Sequence, residues 1–134
     1  MIHLDTSFLV DVLRENARGK PGAGTAFFER ITDEEIVISV FVVCELYAGA
    51  ELSERSAAEF KHLSEFCRAI PIEYPDERFA GRYGRLLARL ERAGTRISTM
   101  DLLIATTAIL SEAPLVTRNI RHFGRIPGLV LLSY

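Results

Sequence analysis

Three carboxylates, Asp5, Glu45 and Asp101, stand in settings where a charged side chain needs an explanation. Asp5 follows the apolar run Ile2-His3-Leu4, at a strand-to-helix switch of the kind where open α/β sheets place their ligands. An aspartate there also suits a helix N-cap. Glu45 lies within Val40-Phe41-Val42-Val43-Cys44-Glu45-Leu46-Tyr47-Ala48, and its neighbours three and four residues away are Phe41, Val42, Ala48 and Gly49. A helix apolar all round is expected to be largely buried. A carboxylate on it then needs either a buried arginine or a bound cation. Asp101 closes Ser98-Thr99-Met100-Asp101, a capping-box pattern, and opens the apolar stretch Leu102-Leu103-Ile104-Ala105-Thr106-Thr107-Ala108. Asp, Glu and Asp together offer hard oxygen ligands, suited to Mg²⁺ or Mn²⁺ rather than zinc. His3, His62 and His122 are isolated from zinc-ligand spacings. Acids holding one or two such ions fit the hydrolysis of a phosphodiester.

The elements that would position these acids read as an α/β domain with a parallel sheet, because short apolar runs alternate with longer helical segments. Ile2 to Leu4 is a first strand, followed by a helix from Thr6 to about Arg14. Asn16 to Gly24 reads as a loop, before a helix ending near Thr32. Ile36 to Ile38 is a second strand, and Ser39 caps a helix running to about Leu52. A helix over Glu54 to Cys67 precedes a third strand at Ala69 to Ile72, which Pro71 confines to an edge. Asp76 to Ala93 is a long helix stopped by Gly94, and Ser98 opens another to about Ser111. Leu115-Val116 and Leu129 to Leu132 complete five strands, a doubly wound sheet with its crevice beyond the strand carboxyl ends.

At 134 residues the chain fits one domain, residues 1–134, large enough to fold without disulfides. Cys44 and Cys67 sit singly in apolar stretches, as buried thiols of a reducing cytosol would. No secretory signal is visible, and the longest apolar run, Val40 to Cys44, is too short to span a bilayer, so a cytoplasmic protein without membrane association is expected. The net charge of −2 is unlike that of most nucleic-acid binders. Acids that bind cations lower such a count, however, and the ions restore positive charge locally.

Ile2-His3-Leu4-Asp5-Thr6-Ser7, Ser39 to Ala50, Ile97 to Ala105, Leu115-Val116-Thr117-Arg118-Asn119 and Gly128-Leu129 occur in an order and spacing that resembles the PIN-domain ribonucleases. Within these the chain looks like the VapC toxins of type II toxin–antitoxin pairs. The resemblance spans the chain, with little family pattern between Ser53 and Glu73. It implies a PIN-like three-layer α/β/α fold with a five-stranded parallel sheet in the order 3-2-1-4-5. It also implies Mg²⁺ or Mn²⁺ bound by Asp5, Glu45 and Asp101, with Thr6, Thr117 and Asn119 in auxiliary roles. Many relatives carry a further acid after the fourth strand, where this chain has Asn119 and His122. At least one firm metal site is therefore expected, with a second left open. The implied activity is endoribonucleolytic cleavage, with transfer RNA as the family-level substrate. The implied partners are a VapB-like antitoxin and a second copy of the chain, in a homodimer or a higher hetero-oligomer.

For RNA binding, Arg118, Arg121 and Arg125 follow the fourth strand near the expected crevice, and Arg14 is a further candidate. Arg78, Arg82, Arg85, Arg89 and Arg92, spaced by 4, 3, 4 and 3, would share roughly 80° of one helix face. That stripe reads either as a solvated flank or as a phosphate track. Gly81, Gly84 and Ala88 form a small-residue strip that would allow close helix approach or a core contact. Aspartyl-phosphate chemistry is disfavoured by the absence of D-x-D and by having only Lys20 and Lys61; nucleotide-cofactor chemistry is disfavoured by the lack of Gly-rich phosphate loops. The alternative outside catalysis is a silent PIN-like binding domain, working only in an antitoxin/DNA complex.

Overall fold

Two-residue and four-residue apolar runs are enough to form strands here because helices cover them. The computed structural model describes residues 1–134, the side chain of residue 56 excepted. Strands β1 (Ile2–Leu4), β2 (Ile36–Ser39), β3 (Ile72–Glu73), β4 (Leu115–Val116) and β5 (Leu131–Leu132) form an all-parallel sheet in the order β3-β2-β1-β4-β5, as the resemblance implied. His3 of the central strand pairs with Val37 on one side and Leu115 on the other. The helices are α1 (Thr6–Arg18), α2 (Ala23–Arg30), α3 (Val40–Leu52), α4 (Ser56–Ala69), α5 (Phe79–Arg92), α6 (Thr99–Leu110) and α7 (Ile120–Phe123). Helices α1 and α2, α3 and α4, and α5 and α6 pack as neighbouring pairs, and α3 also meets α1 and α6.

The core is one contiguous cluster. Leu4, Phe8, Leu9, Ile38, Val42, Leu102, Ile104, Leu115, Val116 and Phe123 are almost wholly excluded from solvent. Helix α6 is the most buried helix face, as its composition predicted, with Leu102 and Ile104 to Ala108 inside. Its threonines fit there because Thr106 and Thr107 donate to the carbonyls of Leu102 and Leu103, at 2.6 and 3.0 Å. His3 is also buried; its Nε2 lies 2.8 Å from Glu73 Oε2, and the Ser111 hydroxyl lies 2.8 Å from both oxygens of Glu73. Burial pushes the His3 imidazole below its ordinary value, with Glu73 opposing.

Several sequence expectations are corrected. The first helix runs to Arg18 rather than Arg14, since Gly19 ends it in the left-handed region (φ 62°), donating to the carbonyls of Asn16 and Glu15. Pro71 precedes β3 instead of lying within it, and its carbonyl accepts from Ile38 at 3.1 Å. Helix α7 was not anticipated. Helix α3 is not buried all round: Val42, Leu46 and Ala50 face the core, while Cys44, Tyr47, Ala48, Gly49 and Leu52 are exposed, Leu52 to 88%. Cys44 is thus an exposed free thiol and Cys67 a half-buried one. The Gly81 and Gly84 strip faces open space rather than a core contact.

Glu15, near the end of α1, caps the start of α2. Its carboxylate accepts from the amides of Gly22, Gly24 and Thr25 at 2.9, 3.1 and 2.7 Å, and from the Thr25 hydroxyl. These bonds, the Thr25 hydroxyl foremost, hold Glu15 down to about 2. The cap is worth its full stabilisation above pH 4.5, the ordinary value, and is lost as pH falls towards 2. Glu15→Gln should therefore lower Tm at pH 7, and its stability should fall less than wild type's between these limits, as thermal melts across pH would show.

Candidate functional site

The sheet register brings the acids together. Asp5 extends the ladder one residue past β1, its amide donating to Val116 at 2.9 Å, so it sits at the carboxyl edge beside Thr117. Its side chain serves as the N-cap of α1, accepting from the Ser7 amide at 3.3 Å. The same oxygen, Oδ2, accepts from the Ser7 hydroxyl at 2.6 Å and from the Thr117 hydroxyl at 2.7 Å. Asp5 is 4% exposed, and Oδ1 takes part in none of these bonds. The capping explanation and a liganding one are thus compatible, because they use different oxygens.

Glu45 reaches the same edge from α3, one turn after the Ser39 cap. The Thr6 hydroxyl donates to its Oε1 at 2.6 Å. The buried-arginine explanation fails: among the described residues no Arg, Lys or His lies within ion-pair distance of Asp5, Glu45 or Asp101. Burial pushes the Glu45 carboxyl up; the Thr6 hydroxyl opposes this, and repulsion from Asp5 and Asp101 adds to it. Asp101 stands in the first turn of α6, its amide donating to Ser98 Oγ at 3.1 Å, which is half of the expected capping box. Its carboxyl is also raised, chiefly by burial and then by Asp5, against the Ser98 hydroxyl and His122.

The three carboxylates therefore feel one another's charge across a shared space. The cluster is open: among the described residues, no three His, Cys, Asp or Glu side chains stand close enough to cage a metal ion. The donor set still fits a hard dication. It is all oxygen, Asp5 Oδ1 and Glu45 Oε2 are claimed by no protein donor, and no protein cation pairs with the acids among the described residues.

The other candidates divide. Thr6 and Thr117 are found hydrogen-bonded to the acids. Asn119 is not bonded to them; its amide donates to Thr117 Oγ1 at 2.9 Å and its Nδ2 meets His122 Nδ1 at 2.9 Å. Arg118 is held by Asp11, Nη1 donating to both carboxylate oxygens at 2.8 and 2.9 Å, and its own amide donates to Ser7 Oγ. Arg14, Arg121 and Arg125 are exposed and without ion pairs. The arginine stripe lies elsewhere: Arg82, Arg85 and Arg89 line a groove of about 670 Å³ with Ile109, Pro127 and Gly128, and Arg78 is paired with Asp76 at 2.7 Å.

Sequence reasoning missed Asp11, Tyr134 and Arg96, and noted His122 only as the residue standing where many relatives carry an acid. The Tyr134 hydroxyl donates to Asp11 at 2.6 Å, and its ring packs 4.7 Å from that of Phe8. No spacing rule links residues more than a hundred positions apart. Arg96 and His122 line a small cavity beside Asp101.

Two outcomes are expected here. Because the Glu45 carboxyl is raised in the fold, its ionisation destabilises the metal-free protein above the ordinary carboxyl range. In EDTA, Glu45→Gln should raise Tm at pH 7, with the gain vanishing as pH falls below that range; an equal or lower Tm at pH 7 would contradict the electrostatic account. Thr6→Val, which frees Glu45 without altering charge, should weaken Mn²⁺ binding about 10–100-fold, the usual cost of losing an orienting partner, measured by titration calorimetry.

The PIN domain family model matches residues 2–129. The chain is 39% identical over 127 residues, 94% of each chain, to Ribonuclease VapC19 of Mycobacterium tuberculosis, and 38% identical over 99 residues, 74% of each, to Ribonuclease VapC2 of Rickettsia felis. Among solved structures it superposes on VapBC2 from Rickettsia felis, bound to a promoter DNA fragment, with a TM-score of 0.89, 32% identity and coverage of 100% of this chain and 99% of that one. DNA-bound VapBC from Salmonella typhimurium gives 0.88, 27%, 99% and 98%. With sheet order and whole-length similarity in agreement, the chain belongs to the PIN-domain family, in its VapC branch.

Proposed function

We propose that this chain is a divalent-metal-dependent endoribonuclease, the toxin of a toxin–antitoxin pair. The observation that carries this reading is the gathering of Asp5, Glu45 and Asp101 at one sheet edge with no protein cation within ion-pair distance of them among the described residues. Relatives of similar length are named ribonucleases, which supports RNA as the substrate. Transfer RNA is the substrate class the family resemblance favours.

Asp5, Glu45 and Asp101 would hold Mg²⁺ or Mn²⁺. Such an ion supplies a lowered pKa for attacking water and electrostatic stabilisation of the charge developing on the phosphoryl oxygens. The protein's own part is placement. Ser7 and Thr117 fix Asp5 through Oδ2, and Thr6 fixes Glu45 through Oε1, so neither carboxylate must be ordered when substrate arrives. Asp11 keeps the Arg118 guanidinium at the same edge; with its side chain 60% exposed, it can meet a backbone phosphate.

The structural neighbours are VapBC assemblies, which supports a VapB-like antitoxin as partner. The exposed apolar side of α3, from Cys44 to Leu52, supports burial against another chain, in a homodimer or hetero-oligomer. No helix is long and apolar enough to cross a membrane among the described residues. The silent-domain alternative leaves the three gathered acids and their hydroxyl supports without a role.

Purified protein should cleave RNA with Mg²⁺ or Mn²⁺ and stop in EDTA. Asp5→Asn should reduce the rate by at least about a hundredfold, more than loss of an orienting partner. Mn²⁺ should also raise Tm in wild type, and less in Asp5→Asn, since a ligand that binds only the folded state stabilises it. Full cleavage in EDTA would remove the metal from the reading.

A further inference from the structure

We propose that Arg96, His122 and Arg125 form a phosphate subsite beside Asp101, which takes the RNA backbone phosphate next to the one cleaved. This rests on the nuclease reading for its role, but its binding chemistry stands on the geometry. The three side chains, with Ile97, Ser98 and Asp101, line a cavity of about 130 Å³. At about 30 Å³ per water that is room for roughly four waters, the scale of one phosphate group. Asp101 forms a wall of this cavity and also belongs to the acidic trio, so the two spaces adjoin.

Charge decides what the cavity can take. Neither Arg96 nor Arg125 has a carboxylate within ion-pair distance among the described residues. Two unneutralised guanidiniums beside one carboxylate favour an anion, and their forked donors match phosphate oxygens.

His122 settles which kind of group the third member is. Its Nδ1 lies 2.9 Å from Asn119 Nδ2. With the Asn119 amide nitrogen turned to the ring, Nδ1 accepts and the neutral ring carries its proton on Nε2. In that tautomer both ring nitrogens are committed, Nδ1 to Asn119 and Nε2 to a proton. The ring offers an N–H donor to an anion and no lone pair to a cation. Where relatives' pattern led us to look for a fourth acid, this chain has a donor.

The segment is also held rigidly. Phe123 and Ile126 are 1% and 3% exposed and anchor it in the core on either side of His122 and Arg125. Gly124 donates to the Ile120 carbonyl at 2.8 Å, and a Cβ there would lie 2.7 Å from that oxygen, so only glycine allows the turn. The backbone that carries His122 and Arg125 is thereby fixed, so that binding need order only the exposed side chains.

The test is equilibrium binding of a labelled single-stranded RNA oligonucleotide to the full chain in EDTA, with RNA integrity checked on gels, across a salt series. R96Q/R125Q should weaken binding about tenfold or more and reduce the slope of log affinity against log salt by about 0.7 for the lost phosphate contact. His122→Gln should weaken binding with the slope unchanged, and each variant should raise KM more than it lowers kcat in Mn²⁺. Arg68→Gln, an exposed charge on α4, serves as the control for net charge. Wild-type affinity and slope in R96Q/R125Q, the same change in Arg68→Gln, or no RNA binding by wild type would overturn the subsite. So would a His122→Gln variant that binds RNA normally but loses the Mn²⁺-induced rise in Tm, since that marks a metal ligand. RNA bound through these residues but never cleaved would sustain the subsite while removing the nuclease reading.

Discussion

Uncompensated negative charge at one sheet edge is the constraint around which the rest of this structure is arranged. Folding places Asp5, Glu45 and Asp101 within reach of one another's fields and excludes much of the water that would screen them. A protein with only a structural use for these acids would lower the cost with an arginine or lysine. Here no cation pairs with them: Arg118 is bound by Asp11, and neither Arg96 nor Arg125 comes within ion-pair distance of Asp101. The destabilisation is one that a bound dication would relieve, so stability and ligand binding are coupled at this point.

The surroundings limit that destabilisation by hydrogen bonding without neutralising charge. Hydroxyl groups of Thr6, Ser7 and Thr117 stabilise one oxygen of an acid while leaving another unclaimed. Thr117 also accepts from the Asn119 amide, and Ser7 from the Arg118 amide, which ties the segment after β4 to the start of α1. Asp11 extends the tie to Tyr134, seated against Phe8 in the core. The acids are thus supported by a frame that reaches from the first residues to the last.

The distribution of charge explains how a chain of net charge −2 could handle a polyanion. The acids are drawn into one cluster, where a cation would reverse the local sign. Arginines without ion pairs flank it at Arg96 and Arg125, while the longer stripe on α5 lines a separate groove. Local fields at an edge, more than the overall sum, set what approaches.

Much was legible in the sequence. The strands, most of the helices and their order followed from apolar periodicity and caps, and the three acids stood out because each interrupts an apolar run or opens one. Helix ends were legible only where a glycine or serine signalled them, so Gly19 marked an end that composition alone had placed at Arg14. The uniform apolarity of α3 could not reveal which side meets solvent, since periodicity carries no information without a polar face. Tertiary structure alone decided which oxygen of Asp5 is occupied, that no arginine meets Glu45, and that Asn119 turns the His122 ring into a donor. Those outcomes depend on contacts between residues far apart in the chain, and on angles of a few side-chain atoms. Residue type and spacing specify neither, because both arise only when the packed sheet brings separate strand ends together.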